Sequence, residues 1–312
     1  MHENNSSTEI HLFSNNQIDK KKWDCCISHS LNEIPYPYSW YLDCVCKNWE
    51  ALIWKDYEAV FPLTWNKKGG VYYLFQPFFT QQLGVFSPKE ISPSLLNDFL
   101  ETIPEKFRLA EINLNIANPY SGNLFSVRKK ITHQLLLNEK HDVLLANYNE
   151  NTKRNLKKAA KENLTVTDDI TAVQLISLFK KNQGETVKEL KKEDYERLKN
   201  LVAVSIRNNS GELIGVKTIN GKLCAAGFFV RSKRVLINLF PSSNEEGKKS
   251  GAMFLLIDYM LKKYEQSDLI FDFEGSEIPS IARFYKGFGA EEVYYYHIRR
   301  NNLPWHLKWL KQ

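Results

Sequence analysis

Two carboxylates near the end of the chain have the type and spacing that proton transfer requires. In Leu269 to Ser276, LIFDFEGS, a period of two puts Leu269, Phe271 and Phe273 on one strand face. Ile270, Asp272 and Glu274 fall on the other. Two acidic groups on an otherwise apolar strand are costly to bury unless something uses them, although a structural pairing with Arg283 or Lys286 would also explain them. Upstream, the run PSSNEEGKKSGA reads as a polar loop leading into a helix, MFLLIDYMLKKYEQ. Free backbone N–H groups at such a helix start attract phosphates, which makes this loop a candidate anion cradle.

The positioning elements follow from periodicity. Strands are expected at Glu212–Ile219, Lys222–Val230 and Arg234–Phe240, joined by hairpin-sized turns, of which Asn220-Gly221 carries the type I′ signal. Helices are expected at Thr171–Asn182 and Lys192–Asn208, and a short one over Ile278–Ala290. Ser276 stands where it can cap that last helix or meet a substrate. A closing strand spans Glu291–Arg299, and a tail with Trp305 and Trp309 at helical spacing ends the chain.

Before these comes a strongly basic helix, Tyr148–Leu164, capped by Asn149 or Asn151 and ended by Asn163. Arg154, Lys157, Lys158 and Lys161 share one face of it. Such a face is either solvated or a clamp for an anionic substrate, with Arg154 and Lys157 as the leading contacts.

In the first half, helices are expected at Asp19–Ser30, over Pro93–Thr102, and as a short one carrying Trp40, Tyr41 and Cys44 that Ser39 can cap. Strands Trp49–Trp54, Tyr57–Trp65 and Val71–Phe75 form an antiparallel meander, and Arg108–Ile116 and Arg128–Leu137 are further strands. Between them, Gln76 to Ser87 is aromatic and amide-rich, and Pro77 bars it from a central strand. It is either a packed connection or the lining of a substrate groove, with Gln76 and Gln81 as contacts.

The 312 residues are 43% hydrophobic, with 18 Phe, 15 Tyr and 7 Trp, enough for two folded cores and against disorder. A boundary near Lys140-His141 gives domains 1–141 and 142–312. The first 141 residues carry 14 Lys/Arg against 15 Asp/Glu, and the remainder 28 against 21. An anionic partner should therefore prefer the second half. Apolar runs are too short for a membrane span, and MHENNSSTEI lacks the pattern of a signal peptide, so the expectation is a cytoplasmic protein without integral membrane association. Cys25, Cys26, His29, Cys44 and Cys46 cluster in sequence but lack C-x-x-C spacing, which favours free thiols and no metal.

Three stretches together resemble the GNAT acyltransferase superfamily, and the whole chain is similar to its tandem, FemAB-like branch, the bacterial peptidoglycan-bridge aminoacyltransferase type. They are YNENTKRNLKKAAKENLTV, the meander, loop and helix from Lys222 to Tyr264, and IPSIARFYKGFGA with Ala282, Tyr285 and Gly289. The resemblance implies an α/β (α+β) fold of two GNAT-like domains, each a mixed, mostly antiparallel sheet flanked by helices, the first degenerate. It implies transfer of an acyl or aminoacyl group from acyl-CoA or aminoacyl-tRNA to an amine of an anionic acceptor, a small molecule or cell-wall precursor, held in an inter-domain cleft. A non-catalytic binding protein of the same fold is the alternative. In this scheme Asp272 and Glu274 are candidates for the base, and Tyr285 matches the residue that protonates the leaving thiolate. Lys248, Ser250, Gly251 and Ala252 lie on the donor's phosphates. The family loop Gln/Arg-x-x-Gly-x-Gly/Ala reads here Lys248-x-x-Gly251-x-Met253, with Glu245 and Glu246 just before it. Lysine lacks the arginine fork and Met253 crowds the phosphate, which favours a donor other than a thioester.

Overall fold

In the computed structural model, residues 9–182, 190–275 and 277–304 are described. Ser276, Trp305 and Trp309 fall outside them. The chain divides into two compact units, residues 1–130 with 294–312, and residues 131–293.

The first unit begins with strand β1 (Ile10–Ser14), helices α1 (Lys20–His29) and α2 (Ser39–Val45), and strands β2 (Trp49–Trp54), β3 (Ala59–Lys68) and β4 (Val71–Leu74). Helix α3 (Pro93–Glu101) and strand β5 (Phe107–Asn113) follow. β1, β2, β3 and β4 pair antiparallel in sequence order, as the alternation of the meander requires, and β4 then pairs parallel with β5 across the α3 crossover. Residues 297–301 of the last strand close the far side of β5, antiparallel. Leu52, Phe61, Leu63, Phe99, Phe107 and Ile112 are in the core of this unit. Ser39 is the first residue of α2 rather than its cap. Its N–H and hydroxyl both donate to the Asp24 carboxylate of α1, at 2.7 Å each, so a tertiary contact takes over the capping role.

The chain passes into the second unit within β6 (Ser126–Leu136). Helices α4 (His141–Ala146) and α5 (Glu150–Lys161), the three-residue strand β7 (Thr165–Thr167), and helices α6 (Ala172–Asn182) and α7 (Lys192–Arg207) come next. The antiparallel strands β8 (Gly211–Lys217), β9 (Leu223–Arg231) and β10 (Val235–Ser243) follow. The unit ends with helices α8 (Glu245–Ser250) and α9 (Ala252–Lys263), strand β11 (Ile270–Asp272), helix α10 (Pro279–Lys286) and the start of β12 (Glu291–Asn301). Its strand order, β6-β11-β10-β9-β8-β7, is antiparallel except where α9 crosses over and makes β10 and β11 parallel. α9 buries Leu256, Ile257, Met260 and Leu261 against Phe229, Leu236 and Phe271. At about 1.5–3 kcal/mol for each large side chain, this stripe holds the crossover on the sheet.

No helix among the described residues is long and apolar enough to cross a membrane.

Candidate active site

β10 carries a bulge between Asn238 and Phe240. Its parallel register with β11 lasts three pairs, Val235 with Ile270, Leu236 with Phe271 and Ile237 with Asp272. Beyond Ile237, β10 runs on to Ser243 paired through β9 alone among the described residues. Among the described residues no strand thus continues the pairing on that edge past Ile237, at the carboxyl end of a parallel pair, where α/β sheets accept ligands. Two side-chain atoms there are unmatched as well: Asn238 Oδ1 and Ser242 Oγ are buried and make no hydrogen bond.

Asp272 lies at the end of β11, opposite Gln134 of β6. It is buried and accepts three hydrogen bonds, from Thr132 Oγ1 at 2.6 Å, Gln134 Nε2 at 2.8 Å and the Glu274 N–H at 2.8 Å. Burial nevertheless pushes its carboxyl above the ordinary value, the three donors offsetting only part of that effect. Because Thr132 and Gln134 alternate with His133, Asp272 shares their face of the sheet and His133 takes the other.

The strand ends at Asp272, so Glu274 does not continue the alternation that LIFDFEGS suggests. Its backbone is left-handed, at φ 61°, a costly conformation for a side-chain-bearing residue that turns it off the strand.

Tyr285 sits on α10, in the face occupied by the apolar core. Its ring centroid lies 5.0 Å from that of Phe273 and 5.7 Å from that of His133. Burial raises the phenol's pKa, and the negative charges of Glu274 and then Asp272 add to this, so the group holds its proton and suits an acid rather than a base. Of the three proton-transfer candidates, Glu274 is therefore the carboxylate that bears most on Tyr285, while Asp272 faces the opposite side of the sheet.

His133 was not singled out by its sequence context, ITHQLLL, where the only signal is a histidine at an inward position of an alternating strand. It is fully buried, and neither ring nitrogen makes a hydrogen bond. Glu292 Oε1 stands 3.9 Å from Nε2, and burial lowers the imidazole's pKa.

The segment read as a phosphate-binding loop is largely helical. Asn244 caps α8 by accepting from the Gly247 N–H at 2.8 Å. Lys248 pairs with Glu245 at 2.7 Å, and the Ser250 hydroxyl donates to the Glu246 carbonyl at 2.8 Å. Gly251, at φ 80°, ends α8 and starts α9, and Ala252 is buried in the core. A Cβ at Gly251 would lie 2.6 Å from the Asn155 carbonyl oxygen of α5, and one at Gly247 would lie 2.2 Å from the Cys224 carbonyl oxygen of β9. Both glycines thus permit close backbone packing.

α5 begins at Asn149, whose side chain accepts from the Thr152 N–H at 2.9 Å, and the chain leaves it through Asn163 at φ 51°. Arg154, Lys157, Lys158 and Lys161 are exposed, and no carboxylate pairs with them among the described residues. Arg154 donates to Asn151 Oδ1 of the preceding turn at 2.7 Å. Gln76 and Gln81 belong to the first unit. Gln76 is engaged by the Thr80 carbonyl at 2.8 Å and the Asn113 N–H at 3.1 Å, and Gln81 Oε1 accepts from Gln82 at 2.8 Å.

All five cysteines are free, and Cys25 Sγ lies 3.7 Å from His29 Nδ1. No group of three potential metal ligands gathers among the described residues.

Residues 146–286 match the family described as an acetyltransferase (GNAT) domain. Curated proteins searched by sequence gave no match. Among solved structures, the chain is similar to FemX, at 13% identity and TM-score 0.68, covering 89% of this chain and 96% of that one. A conserved protein of unknown function from Bacteroides thetaiotaomicron superposes at TM-score 0.57 with 11% identity, covering 90% and 97% of the two chains. The C-terminal domain of a putative lysylphosphatidylglycerol synthetase from Agrobacterium fabrum does so at TM-score 0.56 with 12% identity, covering 92% and 93%. These likenesses establish the fold along nearly the whole chain. β10, the α9 crossover and Tyr285 on α10 accordingly lie within residues 146–286, the part of the chain similar to a GNAT acetyltransferase domain, in a chain with the fold of FemX.

Proposed function

We propose that the protein moves an acyl or aminoacyl group from an activated donor, acyl-CoA or aminoacyl-tRNA, to an amine of an anionic acceptor. The observation that carries this reading is the edge of β10 from Asn238 to Ser243, along which no strand continues the β11 pairing among the described residues. The unmatched Asn238 Oδ1 and Ser242 Oγ on that stretch suit an extended donor arm that carries amides or hydroxyls. Such an arm would reach the first turn of α9 with its phosphates and bring its carbonyl toward the end of β11. Tyr285 then supplies the proton to the leaving thiolate or ribose oxygen, and Glu274 takes the proton of the attacking amine, directly or through water. Asp272 holds the Glu274 N–H and ties β6 to β11, so its part in the reaction is to fix where Glu274 stands.

Lys248 is already paired and Ser250 already donates within its helix, which shifts the proposed anion contact to the amides of Ala252 and its successors. Arg154 and Lys157 supply the positive face for an anionic acceptor or for tRNA. Fold likeness to a domain of a lysylphosphatidylglycerol synthetase supports keeping aminoacyl donors beside thioesters. We place the reaction in the cytoplasm, with a small molecule or cell-wall precursor as acceptor.

The test is donor binding followed by turnover. Acetyl-CoA or charged tRNA at about 100 times its Kd should stabilise the protein by about 2.7 kcal/mol, read as a rise in melting temperature. Tyr285→Phe should keep that rise and lower turnover on the order of a hundredfold. If neither donor shifts the transition, the transferase reading fails.

A further inference from the structure

Tyr285 is 8% exposed, so once it has given up its proton it needs a route by which another returns. His133 lies against its ring, centroid to centroid at 5.7 Å, and is itself fully buried. A neutral imidazole carries one N–H and one bare nitrogen, and leaving a buried polar group unmatched costs about 1–3 kcal/mol. Both His133 nitrogens are in that position. A purely structural site would favour an apolar residue there, since Phe271, Phe273 and Phe288 fill the same core. The imidazole is therefore poised for exchange with groups on either side of it.

One side is Tyr285. The other leads outward: Glu292 Oε1 stands 3.9 Å from His133 Nε2 and pairs with Lys286 Nζ at 2.7 Å. Glu292 and Lys286 have side chains 32% and 51% exposed, so this end of the row meets solvent. Tyr285, His133, Glu292 and Lys286 thus run from a buried phenol to the surface within residues 131–293.

We propose that His133 is a positioning residue that returns a proton to Tyr285 from the solvent at the Glu292 carboxylate. This rests on Tyr285 acting as the acid in the proposed transfer. As the donor's C–S or C–O bond breaks, the leaving atom takes the phenolic proton. One ring nitrogen of His133 gives its proton to the phenolate oxygen through water, and the other takes one from solvent water at the Glu292 carboxylate, which Lys286 keeps ionised. The attacking amine releases one proton as the amide bond forms, so the cycle balances without any further reactant.

Three variants, Tyr285→Phe, His133→Gln and Glu292→Gln, test this with acetyl-CoA and charged tRNA as donors. His133→Gln should lower kcat on the order of tenfold or more with KM unchanged and should alter the pH profile. Glu292→Gln changes a partly exposed side chain, and should move the same profile in the same direction by a smaller factor. A readout independent of turnover is the ring 15N spectrum of histidine-labelled protein, with the His133 signal assigned by its loss in His133→Gln. That signal should shift in both Tyr285→Phe and Glu292→Gln. If Tyr285→Phe leaves turnover unchanged with both donors, the acid assignment falls and this proposal with it. If Tyr285→Phe slows turnover while His133→Gln and Glu292→Gln keep the wild-type profile, the proton route alone is overturned. A His133 signal indifferent to both neighbours overturns it as well.

Discussion

Replacing Gly251 with alanine tests the packing that defines the start of α9. Two separate costs attach to that change. The residue sits at φ 80°, where a Cβ costs about 1–2 kcal/mol. The new Cβ would also lie 2.6 Å from the Asn155 carbonyl oxygen, about 0.8 Å inside ordinary contact. The obstacle is helix backbone rather than a side-chain end, so α5 must move as a body, and overpacking of this kind costs about 1–3 kcal/mol more. Gly251→Ala should therefore lose about 2–5 kcal/mol in all. Gly221→Ala is the matched control: φ is 74°, but nothing lies within 4 Å of the added Cβ, so only the conformational part remains. Both glycines are in residues 131–293, so urea unfolding followed by circular dichroism compares them in the same unit. The midpoint of Gly251→Ala should fall clearly below that of Gly221→Ala at equal slope. If the two variants lose the same stability, the close approach of α5 to the α9 start is not what requires glycine at 251.

The site and the basic helix carry two further expectations. For Asp272, the folded carboxyl titrates above its ordinary value because it is buried. The stability it contributes is thus fullest at low pH and is lost as pH rises through that raised value. Asp272→Asn, neutral throughout, should gain in melting temperature relative to the wild type as pH rises above about 4; a gap that closes or reverses would mean the carboxylate is stabilised in its charged form. Arg154→Glu combined with Lys157→Glu should weaken tRNA binding and reduce its salt slope by about 2, as loss of two phosphate contacts would. Unchanged binding at low salt would leave this face as a solvated one.

How far the sequence reached can be judged from particular elements. The hairpin at Asn220-Gly221 was legible as a turn, and β8 and β9 pair antiparallel across it, but it is not the expected type I′: only Gly221 is left-handed, at φ 74°, and its N–H donates to the Thr218 carbonyl. Periodicity placed α5, α7 and α9 within a few residues of their ends, and the Asn149 cap of α5 was among those expected. The stretch PSSNEEGKKSGA was misread as loop because its polar, glycine-bearing composition is that of a turn. Its helix exists because Asn244 caps it and because Gly247 lets it lie on Cys224. The GNAT resemblance, carried by YNENTKRNLKKAAKENLTV and IPSIARFYKGFGA, pointed to a family whose domain matches over 146–286.

Local pattern by itself determined most of the longer strands and helices and the basic face of α5, because each depends on residues a few positions apart. Tertiary structure alone decided which of those groups meet. β6 comes from more than a hundred residues upstream to pair with β11, and that pairing satisfies Asp272 through Thr132 and Gln134 and sets His133 beside Tyr285. Strand alternation says only that neighbours point apart; register with a distant strand says what each of them faces. LIFDFEGS thus holds two carboxylates with different surroundings. Asp272 is bound into the sheet, and Glu274 is turned off its end by a left-handed backbone that no periodicity announces.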